Sequence, residues 1–432
     1  AQLAYLAQQV YSGTLYDGAY FILTNDIDLD YQEWLPIGSK NASGDTQTFM
    51  GRLDGDGHTV SNLKVTVLDA EGTAGSYAAK RFGHGEFTSG DNKIGLFGYV
   101  QYGDSVSDLT IENADIDGTR LQVNDSTSGG GAAAVAIGNV KASGATVKDI
   151  HVTGTIRLDG YFFVGGIMGY ANGTIFENCS VTGDIQISGW MDIGGICGYL
   201  GASFKNCTVE GTEGSYIEAR SYGNDHTGGL SGKSGYASGG IQAENCHVAI
   251  DLMGNGTCVG GMAGMINAAA SKLENCSYEG TISIMMSDEG KEGVTTEYKN
   301  LGAMVGTVES KTANLTVTGC SFSGKLVTRD AAGQQYTYDT EAGIPGDFLN
   351  GGLVGGYKSG TADGVPADGN VAGFVAARVD EDGAMTLYQS LSEAITAAQD
   401  GETVTLLSDI TMTGGYSDTT AGLEIRKSLT ID

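Results

Sequence analysis

Phe176-Glu-Asn178-Cys179-Ser-Val181 is one copy of a six-residue pattern that recurs along the chain: apolar, any, Asn or Asp, apolar, any, apolar. We call it the Asn pattern. Its eight copies begin at Val60, Val106, Val147, Phe176, Phe204, Ala243, Leu273 and Val317, and the last copy has Gly319 in the Asn slot. A period of roughly 28 to 50 residues, with each copy strand-like, is typical of a stacked β array.

A second pattern, Gly-Gly-apolar-any-Gly, alternates with the first, and we call it the Gly pattern. Its full copies occupy 165–169, 194–198, 228–232, 260–264 and 351–355. Between Val152 and Cys276 each coil reads as a Gly-pattern strand, a turn, an Asn-pattern strand and a third strand. Because crossovers between parallel strands are right-handed in nearly all cases, we predict an all-β, right-handed parallel β-helix (solenoid) with three short strands per coil.

Strand alternation predicts which residues of the Asn pattern face inward. Phe176 and Cys179 should point into the core, and Asn178 should occupy the bend between them, since Asn tolerates left-handed backbone. The predicted structural ladder comprises Asn178, Cys179, Asn206, Cys207, Asn245, Cys246, Asn275, Cys276 and Cys320. Thiols in a line lack the paired geometry of a disulfide and the convergence of a zinc site, so we assign them to packing. Cys197 and Cys258 lie in another strand and are expected in or near the core.

The chain is acidic and rich in glycine. It has 70 Gly, 3 Pro and 41% apolar residues, which argues against a disordered Pro/Gly/Ser mixture. The formal net charge of −29 excludes nucleic acid as a partner, because that partner requires clustered Lys and Arg. No run reaches the ~18 apolar residues of a membrane span. No cofactor is expected, with calcium at Asp54 and Asp56 as the alternative.

The sequence divides into four predicted segments. They are an N-terminal cap at 1–35, the β-helix at 36–358, a linker at 359–375, and the cap and first strands of a second, truncated β-helical unit at 376–432. The N-terminal cap should begin with an amphipathic helix, because Leu3, Leu6, Ala7 and Val10 fall at helical spacing. Long loop insertions are predicted at 66–93, 112–134, 211–226, 285–300 and 325–350. The chain is expected to be a piece of a longer polypeptide.

Candidate sites for chemistry are few. Enzymes on β-helices that cut polysaccharides place two or three carboxylates on one outer face. Asp54-Gly-Asp-Gly-His58 is the nearest local cluster, but its glycines favour a turn, and His84 lies in a predicted loop. No catalytic residue is therefore assigned.

Aromatic residues offer a binding surface instead. Exposed aromatic rings can stack on sugars, although ordinary strand packing is the alternative explanation. The candidate ligand-binding residues flank the Gly pattern of neighbouring coils and are Tyr161, Phe163, Tyr170, Trp190 and Tyr199.

The Gly pattern, together with Leu23-Thr-Asn-Asp-Ile-Asp-Leu29 and Trp34-Leu-Pro-Ile-Gly38, resembles the GLUG motif of bacterial surface proteins. The resemblance covers residues 1–356 and implies an adhesin-like protein that is secreted or attached to the bacterial cell surface. GLUG repeats also flank the protease domain of some IgA-cleaving metallopeptidases, but this chain contains no His-Glu-x-x-His. The long insertions and the cysteine ladder distinguish this chain from the more regular repeats of the family.

These observations favour a non-catalytic structural or adhesive rod that presents loops or an aromatic face to a host or neighbouring-cell glycan or protein. Two alternatives remain open. One is a carbohydrate-active β-helix enzyme, either a glycoside hydrolase or a polysaccharide lyase. The other is an accessory repeat region of a large surface protease.

Overall fold

A computed structural model of the chain describes most of the repeat region and parts of the C-terminal region. The described residues are 1–41, 43–67, 93–119, 131–220, 226–234, 240–254, 258–266, 270–284, 300–308, 314–329, 335–339, 354–357, 376–379, 385–388, 391–406 and 430–431. The predicted linker at 359–375 lies outside them, as do most of the predicted insertions at 66–93 and 285–300.

The described residues are mostly β, with two α-helices, α1 (Gln2–Tyr11) and α2 (Leu391–Ala397). The strands up to residue 219 are β1 (Tyr20–Ile22), β2 (Ile27–Asp28), β3 (Arg52–Asp54), β4 (Thr59–Thr66), β5 (Lys93–Ile94), β6 (Phe97–Val100), β7 (Val106–Asp117), β8 (Ala132–Ala134), β9 (Ile137–Val140), β10 (Thr146–Asp159), β11 (Phe163–Gly165), β12 (Met168–Glu177), β13 (Ser180–Gly189), β14 (Asp192–Gly194), β15 (Cys197–Lys205), β16 (Thr208–Gly211) and β17 (Tyr216–Ala219).

The later strands continue the same order. They are β18 (His226–Gly228), β19 (Ser231–Ser234), β20 (Gln242–Glu244), β21 (His247–Ala249), β22 (Asp251–Gly254), β23 (Cys258–Gly260), β24 (Ala263–Ile266), β25 (Ala270–Glu274), β26 (Ser277–Ile284), β27 (Asn300–Gly302), β28 (Val305–Val308), β29 (Asn314–Thr318), β30 (Ser321–Arg329), β31 (Gln335–Asp339), β32 (Val354–Tyr357), β33 (Ala376–Val379), β34 (Met385–Tyr388), β35 (Thr403–Leu406) and β36 (Thr430–Ile431).

Parallel pairing joins each copy of the repeat to the copies before and after it. In the seven-stranded sheet formed by the described residues, the order is β5, β8, β11, β14, β18, β23 and β27. In the larger sheet β10 pairs in parallel with both β7 and β13. The register places equivalent residues side by side, so that Phe176 pairs with Phe204 and Val181 with Val209. Stacking in register brings the apolar residues of every copy to the same face.

The number and length of the strands vary between copies. The copy at 163–189 has three strands, whereas the next copy divides its third strand into β16 and β17. Three of the predicted loops contain strand segments. Strand β7 extends to Asp117 and β8 occupies Ala132–Ala134 within 112–134, β17 lies within 211–226, and the end of β30 and all of β31 lie within 325–350. The buried Ile116 and Ile217 explain the extension of β7 and the presence of β17, because each continues the inward alternation of a neighbouring strand. Strand β31 pairs antiparallel with β30, so the third segment adds a strand pair that the repeat patterns do not mark.

A continuous apolar core runs through the repeats. The rings of Phe176 and Phe204, both fully buried, stack with centroids 5.2 Å apart and planes 9° apart. Tyr278 and Phe322 repeat this stack further along, with centroids 5.7 Å apart. Helix α1 buries the predicted stripe of Leu3, Leu6, Ala7 and Val10 against the same core. The cap segment 1–35 also holds β1 and β2, which pair in parallel with β3 and β4.

Glycine is required where β14 turns into β15. A Cβ atom on Gly194 would lie 2.2 Å from the carbonyl oxygen of Cys197 and 2.8 Å from the Cα of Ser231. Backbone atoms cannot rotate away from such a contact, so the Gly pattern marks a seam at which two strands meet backbone to backbone.

The C-terminal region carries its own small core. It consists of Leu391, Ala394, Ile395, Ala398 and Val404. Strand β34 pairs antiparallel with β29, with Leu315 opposite Leu387, so this region joins the repeat strands at β29. Neither helix of the described chain has the length and apolar character needed to cross a bilayer.

Candidate functional site

The Asn slots of the predicted ladder form a chain of side-chain hydrogen bonds. Asn206 Nδ2 donates to Asn178 Oδ1 at 3.0 Å, and Asn245 Nδ2 donates to Asn206 Oδ1 at 3.3 Å. Asn275 continues the series to Asn245, and Asn178 begins it at Asp149. The four asparagines have φ between 51° and 53°, the left-handed region that lets the strand bend. These residues therefore shape the backbone.

The thiols of the ladder are buried, with Cys320 half-buried. Cys207 Sγ donates to the carbonyl oxygen of Phe176 at 3.6 Å, and Cys246 Sγ to that of Phe204 at 3.4 Å. Burial raises the pKa of Cys179 to about 12. Because the thiolate is the nucleophilic form, such a thiol is chemically inert and acts as a packing group.

The five candidate ligand-binding aromatics come together in one patch. We define the aromatic cluster as Tyr161, Phe162, Phe163, Tyr170, Trp190 and Tyr199. Tyr161 and Trp190 are stacked with centroids 5.9 Å apart and planes 2° apart. Phe163 stacks on Tyr199 at 4.4 Å and meets Tyr170 edge-on at 5.4 Å. The turn between β11 and β12 sets Phe163 and Tyr170 against each other, and strand register brings the next copy's Tyr199 beside Tyr170.

A lysine from an earlier copy joins the aromatic cluster. Lys93 Nζ lies 5.8 Å from the ring centroid of Phe163 and 5.3 Å from that of Tyr170. Both distances fall within the range of cation–π attraction, and the lysine itself is buried. Sequence reasoning missed Lys93, because it lies some 70 residues before its aromatic partners and outside both patterns.

Carboxylates line the edge of the same patch. In-register pairing places Asp117, Asp159, Ser188 and Glu218 in one column. Arg220 forms a hydrogen-bonded ion pair with Asp159, and Tyr161 follows Asp159 by two residues. We call Asp117, Asp159, Glu218 and Arg220 the carboxylate group. Sequence reasoning missed it, since its members belong to different copies and match neither pattern.

Burial raises the pKa values of two of these acids. For Asp159 the pKa is raised by burial, against the opposing charge of Arg220, and Asp117 raises it further. For Glu218 the pKa is also raised by burial, with Arg220 opposing and Asp159 adding to the rise. The group therefore combines partly desolvated acids, one guanidinium and adjacent aromatic rings, which is chemistry suited to sugar hydroxyls and ring faces.

Replacing Glu218 with Gln is expected to stabilise the protein near neutral pH and to have no effect in acid. A carboxyl whose folded-state pKa is raised contributes stability below its unfolded value, and that stability is lost as the pH rises through the folded value. Gln imitates the protonated form, so the gain should be present at about pH 7 and absent at about pH 4. Urea unfolding at both pH values measures the difference.

The exposed Glu210 provides the control, and Glu210→Gln should show no such pH-dependent gain. An equal gain from Glu218→Gln at both pH values would contradict the burial of that carboxyl.

Asp54 and Asp56, the candidate calcium ligands, lie in a tight turn. Asp54 accepts hydrogen bonds from the Tyr20 hydroxyl and from the backbone N–H of Asp56. Asp56 itself has φ 48°, as a turn residue does. Within the described residues, no group of three or more His, Cys, Asp or Glu side chains is arranged to hold a metal ion.

Another part of the surface forms a groove of about 200 Å³ that is lined mainly by charged and polar side chains. Lys205 pairs with Glu244 at 3.4 Å, and Lys272 pairs with Glu274. Its described lining contains no aromatic side chain, so it lacks the stacking surface that the aromatic cluster provides.

Comparisons with known proteins identify a partial match to one curated protein. No protein-family profile matches the chain, and no solved structure matches it. One curated protein, Halomucin of Haloquadratum walsbyi, is 30% identical over 129 residues, which is 30% of this chain and 1% of Halomucin. The match thus joins less than a third of this chain to a short stretch of a far longer protein.

Proposed function

We propose that this chain is a right-handed parallel β-helical rod from an extracellular or cell-surface protein of the GLUG type. The in-register parallel pairing of successive repeats carries the proposal, because it stacks the same slots of every copy into one column. The limited likeness to a protein named as a mucin is consistent with that location. An experimental structure in which successive copies do not coil around one core would overturn the architecture.

The rod presents the aromatic cluster and the carboxylate group to a glycan. Trp190 is 38% exposed beside the half-buried Tyr161, so this ring pair offers apolar area to a sugar ring. The adjacent Asp159, Glu218 and Arg220 can hydrogen-bond sugar hydroxyls. Three carboxylates against one guanidinium favour neutral or amino sugars over sialylated ones, since like charges repel.

Trp190→Ala is expected to weaken glycan binding about ten-fold, because loss of the contact between the indole ring and a sugar removes about 1.4 kcal/mol of binding free energy. Binding of the purified chain to an array of neutral, amino-sugar and sialylated oligosaccharides measures the effect. Repeating the measurement with calcium and with a chelator tests whether binding depends on calcium at Asp54 and Asp56. Tyr5, which is 60% exposed on α1, provides the matched control.

Tyr5→Ala should leave binding unchanged. Absence of binding to every array class, or equal losses from the two variants, would exclude a glycan site at the aromatic cluster.

Carbohydrate cleavage is the second candidate, favoured by the spacing of the carboxylate group. Asp159 and Glu218 are two strands apart, or roughly 10 Å along the column, and Asp117 and Asp159 are one strand apart, or roughly 5 Å. Separations of this order serve inverting and retaining hydrolysis respectively. This activity would be established if the native chain released reducing ends from a bound polysaccharide and the Asp159→Asn variant did not. If the native chain released none, the proposal of a rod that binds glycans without cleaving them would stand instead.

A further inference from the structure

Three polar residues lie buried in consecutive strands of the seven-stranded sheet. Asp192 on β14 pairs in register with His226 on β18, and His226 pairs in register with Cys258 on β23. Their exposed fractions are 2%, 5% and 3%. Residues in register on parallel strands share one face and are ~4.8 Å apart, so the histidine stands between the carboxylate and the thiol.

The histidine is oriented by the aspartate. His226 Nδ1 and Asp192 Oδ1 form a hydrogen bond. An ionised carboxylate can only accept hydrogen bonds, so the proton of this contact belongs to Nδ1. The other ring nitrogen, Nε2, is then the atom at which the neutral imidazole takes up a proton.

The two ring nitrogens occupy different edges of the imidazole ring, and Nδ1 bonds Asp192 on β14. Register places Cys258 on β23, the strand on the other side of His226 from Asp192. An acid, an oriented histidine and a thiol in this order are the arrangement that activates a nucleophilic cysteine.

Cys258 differs from the ladder cysteines in its neighbour across the sheet, because it pairs in register with a histidine. The ladder cysteines lie in the Asn pattern, and the thiols of Cys207 and Cys246 donate to backbone carbonyls. Cys197, also outside the ladder, donates to the carbonyl oxygen of Tyr199 at 3.4 Å, and burial raises its pKa to about 12. Cys258 stands beside an imidazole in its own column. The three side chains do not form a grouping suited to a metal ion.

We propose that Asp192, His226 and Cys258 form a nucleophilic thiol site that reacts with a small, uncharged carbon electrophile. The thiol proton passes to His226 Nε2, the sulfur forms a bond to the electrophilic carbon, and the leaving group departs with the bonding pair. Asp192 stabilises the imidazolium that results. The low exposure of Cys258 restricts the partner to small molecules.

Labelling of the native chain with iodoacetamide, followed by mass spectrometry of each cysteine peptide, tests the proposal. In this reaction the thioether forms and iodide leaves. Cys258 is expected to react at least about ten-fold faster than Cys197 near neutral pH. Cys197 is the internal reference, because any general opening of the fold would expose both thiols.

Two variants separate activation from exposure. His226→Gln should slow the labelling of Cys258 at least about ten-fold while leaving Cys197 unchanged. Asp192→Asn should also slow it, because an amide can donate to Nδ1 and fix the wrong tautomer. His151→Gln is the control, since that ring bonds Ser180 at 2.8 Å in another strand and should alter nothing.

Equal labelling of Cys258 and Cys197 in the native chain would overturn the proposal. So would a His226→Gln variant in which Cys258 labels as fast as before. Faster labelling of both thiols in that variant would also overturn it, because that pattern reports general opening of the fold and not activation by the histidine.

Discussion

Phe204→Ala is expected to lower the free energy of unfolding by about 3–5 kcal/mol, the range for removing a buried phenylalanine ring. Phe204 is fully buried and stacks on Phe176 at 5.2 Å, so the change leaves a cavity between two neighbouring copies. Strands on either side are held in register and cannot close the gap without losing their pairing.

Urea unfolding measures the total loss, and hydrogen exchange locates it. Repeat structures are stabilised by contacts between neighbours, so amides of β12 and β15 should lose protection first. Tyr5→Ala, an exposed ring on α1, is the control and should change stability by no more than about 0.5 kcal/mol. A Phe204→Ala loss as small as the control's would show that the inter-copy ring stack does not support the fold.

Gly194→Ala is expected to cost about 3 kcal/mol, although it adds only one methyl group. The new Cβ would lie 2.2 Å from the Cys197 carbonyl oxygen and close to backbone of the next copy at Ser231. Relief requires the strands of the seam to separate, because backbone atoms have no alternative rotamer. Thermal or urea unfolding of the variant measures the effect.

The control lies in the same column of the sheet. Ala134 pairs with Gly165, which pairs with Gly194, so one copy naturally carries a methyl group at this position. Ala134→Gly removes that methyl and should cost no more than about 1 kcal/mol, mainly through backbone entropy. Comparable losses from the two substitutions would argue against a steric origin.

Much of the repeat architecture could be predicted, because it depends on local rules. The six-residue spacing predicted a strand with a bend, and the buried Phe176 and Cys179 flank Asn178 at φ 53°. The α1 stripe followed from helical periodicity. The predicted loop bounds were wrong at Asp117 and β17 because inward alternation persists there without the Asn pattern that marks the other strands. The bounds at 325–350 were wrong because β31 pairs antiparallel with β30, a contact outside both repeat patterns.

The sequence by itself determined which residues face inward, since strand alternation and the Asn bend act over a few residues. Only the tertiary structure decided which outward-facing residues meet. Asp159 bonds Arg220, which is sixty-one positions away in the sequence, and Asp192 bonds His226, which is thirty-four positions away. Those contacts depend on the register between copies and on insertion lengths that differ from one copy to the next. His226 is buried and lies between Asp192 and Cys258 of the two neighbouring strands, an environment that no periodicity within its own strand records.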